Sequence, residues 1–319
     1  MDAMDGGGVA SRFHGGIRPA LGFRRLNEIM KIVAAKAESD IWRTGPMPLQ
    51  QSLAYGTVLA RLGATVERVE IAASSGALGR AQVIGRRVGP LLLRLMSRGP
   101  VWAKAPAAPE QDAALRALGR RFRPLVATPW HAGPGLPLVT CRAQALLDLS
   151  AEPGMLRARL AQKWRNRLVR AEAAGLDLRL SRPEPSTVAW LLAADAAQQR
   201  VRGYRAMPAR FTDAWLARDP RAAFLAEARL RGERVAAMLF LLHSPWATYH
   251  IGWSGVAGRQ ANAHPHLLWR AMLHLRDAGF STLDLGEVNT EDAPGLARFK
   301  IGTGARVMPL GPTVLLPCL

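Results

Sequence analysis

Asp284 and Glu287 stand three residues apart in the run Leu283-Asp284-Leu285-Gly286-Glu287. They sit at the C-terminal end of a predicted strand, where the clefts of α/β folds gather. A carboxylate there can take the proton of an attacking ammonium. Asp284 can equally cap a neighbouring helix or pair with an arginine. His250, between Tyr249 and Ile251 in another predicted strand, reads as a base or, more readily, as a packed imidazole. Two stretches are rich in bases. The segment Met155–Ala174 carries Arg157, Arg159, Lys163, Arg165, Arg167 and Arg170 against Glu172. The loop Arg200-Val201-Arg202-Gly203-Tyr204-Arg205 holds three arginines and a tyrosine without an acid. Guanidinium forks pair with phosphate, so both stretches suit an anionic ligand, although a charged helix face is usually only solvated. Arg165, Arg202 and Tyr204 are the candidate anion contacts, and Tyr249, Trp253 and Phe299 join them as candidate substrate contacts. His264, His266 and His274 lack the i, i+4 spacing of a zinc helix, and Arg270 shares the polar face of His266 and His274, so no metal site is read there. Nucleophile-elbow, phosphate-loop and GxGxxG motifs are absent, which disfavours serine hydrolases, ATPases and Rossmann dehydrogenases.

A mixed α/β pattern must position these groups. Residues 1–22 are Gly-rich and read as a disordered tail. Phe23–Ala37 reads as a short amphipathic helix, packed on the body or lying on a membrane. Gln50–Leu62 is a predicted helix stopped by Gly63, followed by strands over Thr65–Ala72 and Gly79–Val88. The apolar run Leu91–Met96 ends in a reversal at Gly99-Pro100. Helix Glu110–Arg121 and strand Pro124–Ala127 lead to the loop Thr128–Pro137, the passage between two halves. The second half begins with one long helix, Met155–Ala174, capped by Gly175. Strand Leu176–Leu180, helix Ser186–Arg200, a short helix ending at Ala217, the hairpin Ala222–Leu242 and strand Trp246–Trp253 follow. A gap, Ser254–Ala263, precedes helix His264–Ala278. Strand Thr282–Leu285, helix Ala293–Lys300 and a closing strand Arg306–Leu315 complete the pattern. The two halves share a helix–strand–strand order, so a duplicated domain is expected: 23–140 and 141–319, the second carrying the chemistry.

The chain has 319 residues, 49% apolar and 21% charged, with a mean hydropathy of +0.01. This is globular composition. The formal charge is +19, from 43 Lys+Arg against 24 Asp+Glu. Only Lys31, Lys36, Lys104, Lys163 and Lys300 are lysines, which leaves 38 arginines. Most of that bias is compositional habit; the remainder fits a surface that meets anions. Cys141 and Cys318 are too few for a disulfide scaffold and read as thiols of a reducing compartment. A spanning helix and a secretory leader are not evident, so a cytoplasmic location is expected, with peripheral contact to an anionic membrane face open to so basic a chain.

The order hairpin, strand, gap, helix, strand over Ala222–Leu285 resembles the core of the GNAT acyltransferase fold. Five further elements resemble one branch of it, the FemAB-like proteins. These are Gln50-Gln51-Ser52-Leu53-Ala54-Tyr55; Arg98-Gly99-Pro100-Val101-Trp102; the helix Lys163–Gly175 with its Lys-Trp-Arg start and Ala-Glu-Ala-Ala-Gly end; Leu283-Asp284-Leu285-Gly286; and Gly295–Gly304 with Phe299-Lys300 at its centre. The resemblance spans roughly Pro48–Leu316. It implies tandem GNAT-like domains (α/β, mixed sheets flanked by helices) and transfer of an acyl or aminoacyl group to an amine of an anionic acceptor such as a peptidoglycan precursor. It also places Lys300 on the family's Phe-Lys motif, where an ammonium stabilises the oxyanion that develops. Relatives include BioF2-like acetyltransferase-domain proteins, so two donors stay open, aminoacyl-tRNA and acyl-CoA, neither a tightly bound cofactor. In GNAT enzymes a Gly-rich turn and a helix N-terminus cradle the coenzyme's pyrophosphate on backbone N–H groups. The matching stretch here, Arg259-Gln260-Ala261-Asn262-Ala263-His264, has no glycines, and its Arg259 and Gln260 are the candidate carrier contacts. Outside enzymes, the competing reading is a non-catalytic basic adaptor that binds RNA or membrane on a GNAT scaffold.

Overall fold

The computed structural model describes residues 30–35, 42, 45–74 and 76–317. The predicted tail 1–22, most of the predicted helix Phe23–Ala37, and Cys318 lie outside them. Lys31–Ala34 is a strand, β1, and not part of a helix; it pairs antiparallel with β2 (Thr65–Ala73), Ile32 opposite Ile71. Ile32 and Val33 are β-branched and extend a sheet edge, which outweighs a short helical periodicity.

Two mixed sheets are flanked by helices. The first runs β1-β2-β3-β4-β6-β15-β7. Its members are β3 (Gly76–Val88), β4 (Leu91–Ser97), β6 (Leu125–Thr128), β7 (Leu136–Val139) and β15 (Thr313–Leu315), with the short β5 (Val101–Trp102) beside β3. The second runs β14-β8-β13-β12-β11-β10-β9. These are β8 (Ala143–Asp148), β9 (Asp177–Ser181), β10 (Ala223–Leu230), β11 (Glu233–His243), β12 (Trp246–Ser254), β13 (Thr282–Val288) and β14 (Arg306–Pro309). The helices are α1 (Leu53–Arg61), α2 (Ala108–Arg121), α3 (Pro153–Arg159), α4 (Gln162–Glu172), α5 (Pro185–Arg202), α6 (Ala209–Arg218), α7 (Val256–Gln260), α8 (Ala263–Asp277) and α9 (Pro294–Ile301).

Successive residues of β11 are buried on both faces, which explains its unbroken apolar run. Met238 and Phe240 join a core with Trp164 and Leu168 of α4 and Leu268 and Met272 of α8. Leu239 and Leu241 join another with Val188 of α5 and Trp215 of α6. That second core also takes in Val58 and Leu59 of α1 and Ile84 of β3, so the two sheets share it. A third core packs α2 on the opposite face of the first sheet.

Three expected elements differ. The long helix Met155–Ala174 is two, α3 and α4, broken where Leu160 and Ala161 are extended. The break frees the Ala161 N–H to donate to Gly302 O at 2.9 Å. It also lets Gly304 sit where a Cβ would lie 2.8 Å from Arg159 O. The expected closing strand Arg306–Leu315 divides: β14 stays in the second sheet, while β15 crosses into the first between β6 and β7. The gap Ser254–Ala263 contains α7.

β12 carries a bulge opposite Leu239 and Phe240 that sets His250 out of register. His250 Nε2 is bonded to Thr212 Oγ1 at 2.8 Å, and its ring is 6.0 Å from that of Phe211. It is a packed imidazole. Burial lowers its pKa to about 4, and burial does the same to His243, also to about 4, with Asp284 opposing. Both rings are therefore neutral in the fold and become cationic first in the unfolded chain. Stability should be complete above about pH 6.5 and fall as pH drops toward about 4, by on the order of 3 kcal/mol per histidine. Urea denaturation across that range should show the slope, and His250→Gln should reduce it; an unchanged slope would contradict the neutral buried state.

Candidate active site

The parallel pair β12–β13 is in register for three residue pairs only: Trp246 with Thr282, Ala247 with Leu283, and Thr248 with Asp284. Beyond these both strands run on, to Ser254 and Val288, without pairing to each other. The fork leaves a cleft at the C-terminal ends of the two strands, bounded by Tyr249–Trp253 on one arm and Leu285–Val288 on the other.

Lys300 reaches this fork from α9. Its side chain is buried, 6% exposed, and Nζ donates to Glu287 O at 2.7 Å. Gly286, at φ +81°, bends the β13 backbone beside it; a Cβ there would lie 3.5 Å from the lysine nitrogen. Burial lowers the Lys300 pKa, while Asp284 and Glu287 oppose that shift. The result is a fixed, weakly hydrated ammonium at an open strand edge. Phe299 next to it accepts a bond from Trp164 Nε1 at its carbonyl, 3.1 Å, and the two rings lie 6.1 Å apart. His264 at the start of α8 bonds to Trp253 O at 2.9 Å, and its ring is 6.2 Å from that of Phe299. Lys300 and Phe299 thus have His264 beside them, whereas Trp253 turns its ring to Trp190 of α5, 5.4 Å away, and meets His264 only through its carbonyl. The role of His264 as a tie across the fork has no signature in the spacing, where it stands out only as one histidine of three.

The other candidates divide. Tyr249 packs on Phe240 and rests its hydroxyl on Gly252, where a Cβ would be 1.8 Å away. Burial raises its pKa, and Tyr204 and Asp195 add to that. Tyr204 Oη donates to Asp195 Oδ1 at 3.0 Å, which folds the loop after α5 back on that helix. Arg202 lies near enough to His264 to depress its pKa, after burial itself, together with Arg259. Arg165 is committed elsewhere: Nη2 donates to Leu160 O at 3.1 Å, across the α3–α4 break. Arg157 is likewise bound, in a two-pronged pair with Glu172 at 2.7 Å.

The stretch matching a pyrophosphate cradle has few donors to give. Within α7 and the turn after it, the N–H groups of Arg259, Ala261 and Asn262 already donate to Gly255 O, Ala257 O and Arg259 O, at 3.1, 2.9 and 3.2 Å. Pro265 in the first turn of α8 has no N–H. The Arg259 guanidinium turns back to Ser254 O at 2.6 Å, and Gln260 is exposed. Among the described residues no group of three or more His, Cys, Asp or Glu is placed to hold a metal.

Asp284 does not stand free as a base. It is 1% exposed and forms a short ion pair with Arg98, which comes from the first sheet. Its other oxygen, Oδ1, accepts from Gly286 N at 2.8 Å. Arg98 sits at φ +54° after β4, with the Trp130 ring 5.2 Å from its guanidinium. Gln51 is fully buried beneath it, donating to Ser97 O at 2.9 Å and Gln82 O at 3.2 Å and accepting from Gln82 N at 2.7 Å. Gly99 is needed there, since a Cβ would meet the Gln51 amide at 2.8 Å. Glu287 instead pairs with Arg142 at 2.8 Å on the surface. Removing one partner of a desolvated pair strands the other, so Arg98→Ala and Asp284→Ala should each cost about 3–5 kcal/mol, whereas Arg98→Met with Asp284→Leu should cost far less than their sum. Urea denaturation of the three variants decides this; additive or negligible losses would remove the pair's structural role.

Residues 157–300 match the family described as the acetyltransferase (GNAT) domain. Among curated proteins none matches the chain. Among solved structures, the chain is similar to the crystal structure of FemX, with a TM-score of 0.67 and 12% identity over 88% of this chain and 96% of that one. It is also similar to the C-terminal domain of a putative lysylphosphatidylglycerol synthetase from Agrobacterium fabrum, with a TM-score of 0.50 and 17% identity over 83% and 86%. A third, a conserved protein of unknown function from Bacteroides thetaiotaomicron VPI-5482, has a TM-score of 0.50 and 11% identity over 88% and 93%. At these identities the structures show the fold, and the family match covers the forked strands, α8, α9 and Lys300. The stretch that matches the acetyltransferase (GNAT) domain thus runs from α3 through the fork to Lys300.

Proposed function

We propose that the protein transfers an aminoacyl group from an activated ester to an amine of an anionic acceptor, by direct attack and without a covalent enzyme intermediate. The observation that carries this reading is the buried ammonium of Lys300 at the open edge of the forked strands, bonded to Glu287 O at 2.7 Å. The acceptor nitrogen forms a bond to the acyl carbon, and the carbonyl oxygen becomes an oxyanion. Lys300, fixed before the reaction, stabilises that charge without reorganising. The oxyanion then collapses, the donor alcohol leaves, and the amide remains. The proton lost by the acceptor nitrogen passes to Glu287 or to solvent at the mouth of the fork. Asp284, held by Arg98, acts by positioning Gly286.

The choice of donor is supported by the amides of Arg259, Ala261 and Asn262, which are already bonded. A coenzyme pyrophosphate needs free backbone donors, and this turn has committed three of its own to α7, which favours an aminoacyl-tRNA ester over acyl-CoA. By its name, the lysylphosphatidylglycerol synthetase joins an amino acid to an anionic acceptor, which supports the same class of reaction. A peptidoglycan precursor remains the acceptor that the FemAB resemblance implies, with Arg202 at the mouth to meet its phosphate. The reaction needs no metal and no tightly bound cofactor.

Radiolabelled aminoacyl-tRNA and acetyl-CoA, each offered with an anionic amine acceptor, test this. Lys300→Ala should lower kcat by about 10²-fold or more with little change in KM. The wild-type rate should fall on the alkaline side at a lower pH than an ordinary lysine would give, as the desolvated ammonium loses its proton. Full activity in Lys300→Ala overturns the role of that residue. Turnover of acetyl-CoA alone moves the donor to the thioester. Salt-sensitive binding of polyanions with turnover of neither donor leaves the adaptor reading.

A further inference from the structure

One face of the first sheet is uncovered where the β3–β4 hairpin runs past α1. Ile84 is still buried, in the core shared with α1, but the same face of β3 opens at Arg86 and Val88. Cross-strand pairing sets Leu95 opposite Ile84, Leu93 opposite Arg86 and Leu91 opposite Val88 on that face. Val88 is 58% exposed, Leu91 61%, Leu93 44% and Leu95 43%. The row continues from Leu95 through Val126 and Leu315 to Leu136, which is 63% exposed. Isolated exposed leucines need no explanation, but an aligned row on one sheet face does. The opposite face of β4 is ordinary by contrast, with Met96 buried in the core under α2.

The charge around this row says what covers it. The β3–β4 hairpin, Gly76–Ser97, holds no Asp or Glu; Arg80 is buried and Arg94 pairs with Glu67, which leaves Arg86 and Arg87 as its exposed charges. Arg86 and Arg87 are exposed at the open end of the hairpin, beside Leu91 and Leu93. A second copy of so basic a surface would be repelled. Leucines on a projecting hairpin, rimmed by arginines, match the boundary of an anionic bilayer, where the apolar groups enter the acyl region and the guanidiniums meet phosphates. We propose that the exposed end of the β3–β4 hairpin docks the protein on an anionic membrane surface. This surface is separate from the Lys300 fork and does not depend on its chemistry.

Sedimentation of the full chain with vesicles tests the proposal, using phosphatidylcholine alone and phosphatidylcholine with about 25% phosphatidylglycerol. Binding should require the anionic lipid and weaken with added salt. Leu91→Ser with Leu93→Ser should lower the partition by about tenfold or more, as should Arg86→Ala with Arg87→Ala. Arg179→Ala with Arg182→Ala removes the same charge from the far edge of the second sheet and should retain binding. Circular dichroism melting of each variant separates lost docking from lost fold. Absence of binding to anionic vesicles, equal loss in the Arg179/Arg182 variant, or retention in a folded Leu91/Leu93 variant overturns the proposal. So does a lipid-free dimer that the Leu91/Leu93 variant converts to monomer without any vesicle binding, which would make the face a contact between copies.

Discussion

The pairing of Arg98 with Asp284 is the contact on which the arrangement of the fork depends. A guanidinium from the first sheet and a carboxylate from the second are both taken out of water, and each is tolerable only because the other is there. The pair fixes the start of the free arm of β13. Asp284 then holds Gly286 N, Gly286 bends the strand, and the bend presents Glu287 O to Lys300. Each step is a hydrogen bond to backbone, so the position of the ammonium is inherited from the junction between sheets and owes nothing to the flexible lysine stem. Gln51, Gly99 and Gln82 brace the Arg98 end of the same chain of contacts.

Seen this way, the five sequence elements that resemble the FemAB branch form two groups in space. The Gln50-Gln51-Ser52 opening, the Arg98-Gly99 turn and Asp284 meet at the junction. The helix with Trp164 and the segment Phe299–Gly304 meet below the fork, where Gly302 and Gly304 lie against Trp164 and Arg159. β13 belongs to both groups. The motifs thus specify how a lysine is held, and neither Arg202 nor Tyr204 is among them.

The sequence made the framework legible because the helices have stops and the strands have turns. Gly63 ends α1, Gly175 follows α4, and the alternation in β9 is plain. It misled where tertiary contacts outweighed local pattern. Leu156, Leu160, Trp164 and Leu168 keep helical spacing through a break, since the stripe stays on the core while the backbone opens to receive Gly302. Asp284 and Glu287 look alike in the chain, yet one is sealed against Arg98 and the other lies at the surface. No local signal distinguishes them, because the arginine concerned is 186 positions away. The high formal charge also divides on inspection: Arg157 and Arg165 of the basic helices are tied within the fold, whereas Arg86 and Arg87 face solvent.

β15 sets an order of assembly. It lies between β6 and β7, so the first sheet has a vacancy in its interior until residues 313–315 are available. β15 follows β14 by only a few residues, so the first sheet closes only after the last strand of the second has been made. The junction at Arg98 would then be pulled into its final shape only as the last strand is threaded in. The first sheet, built mostly from earlier residues, is therefore the later one to close.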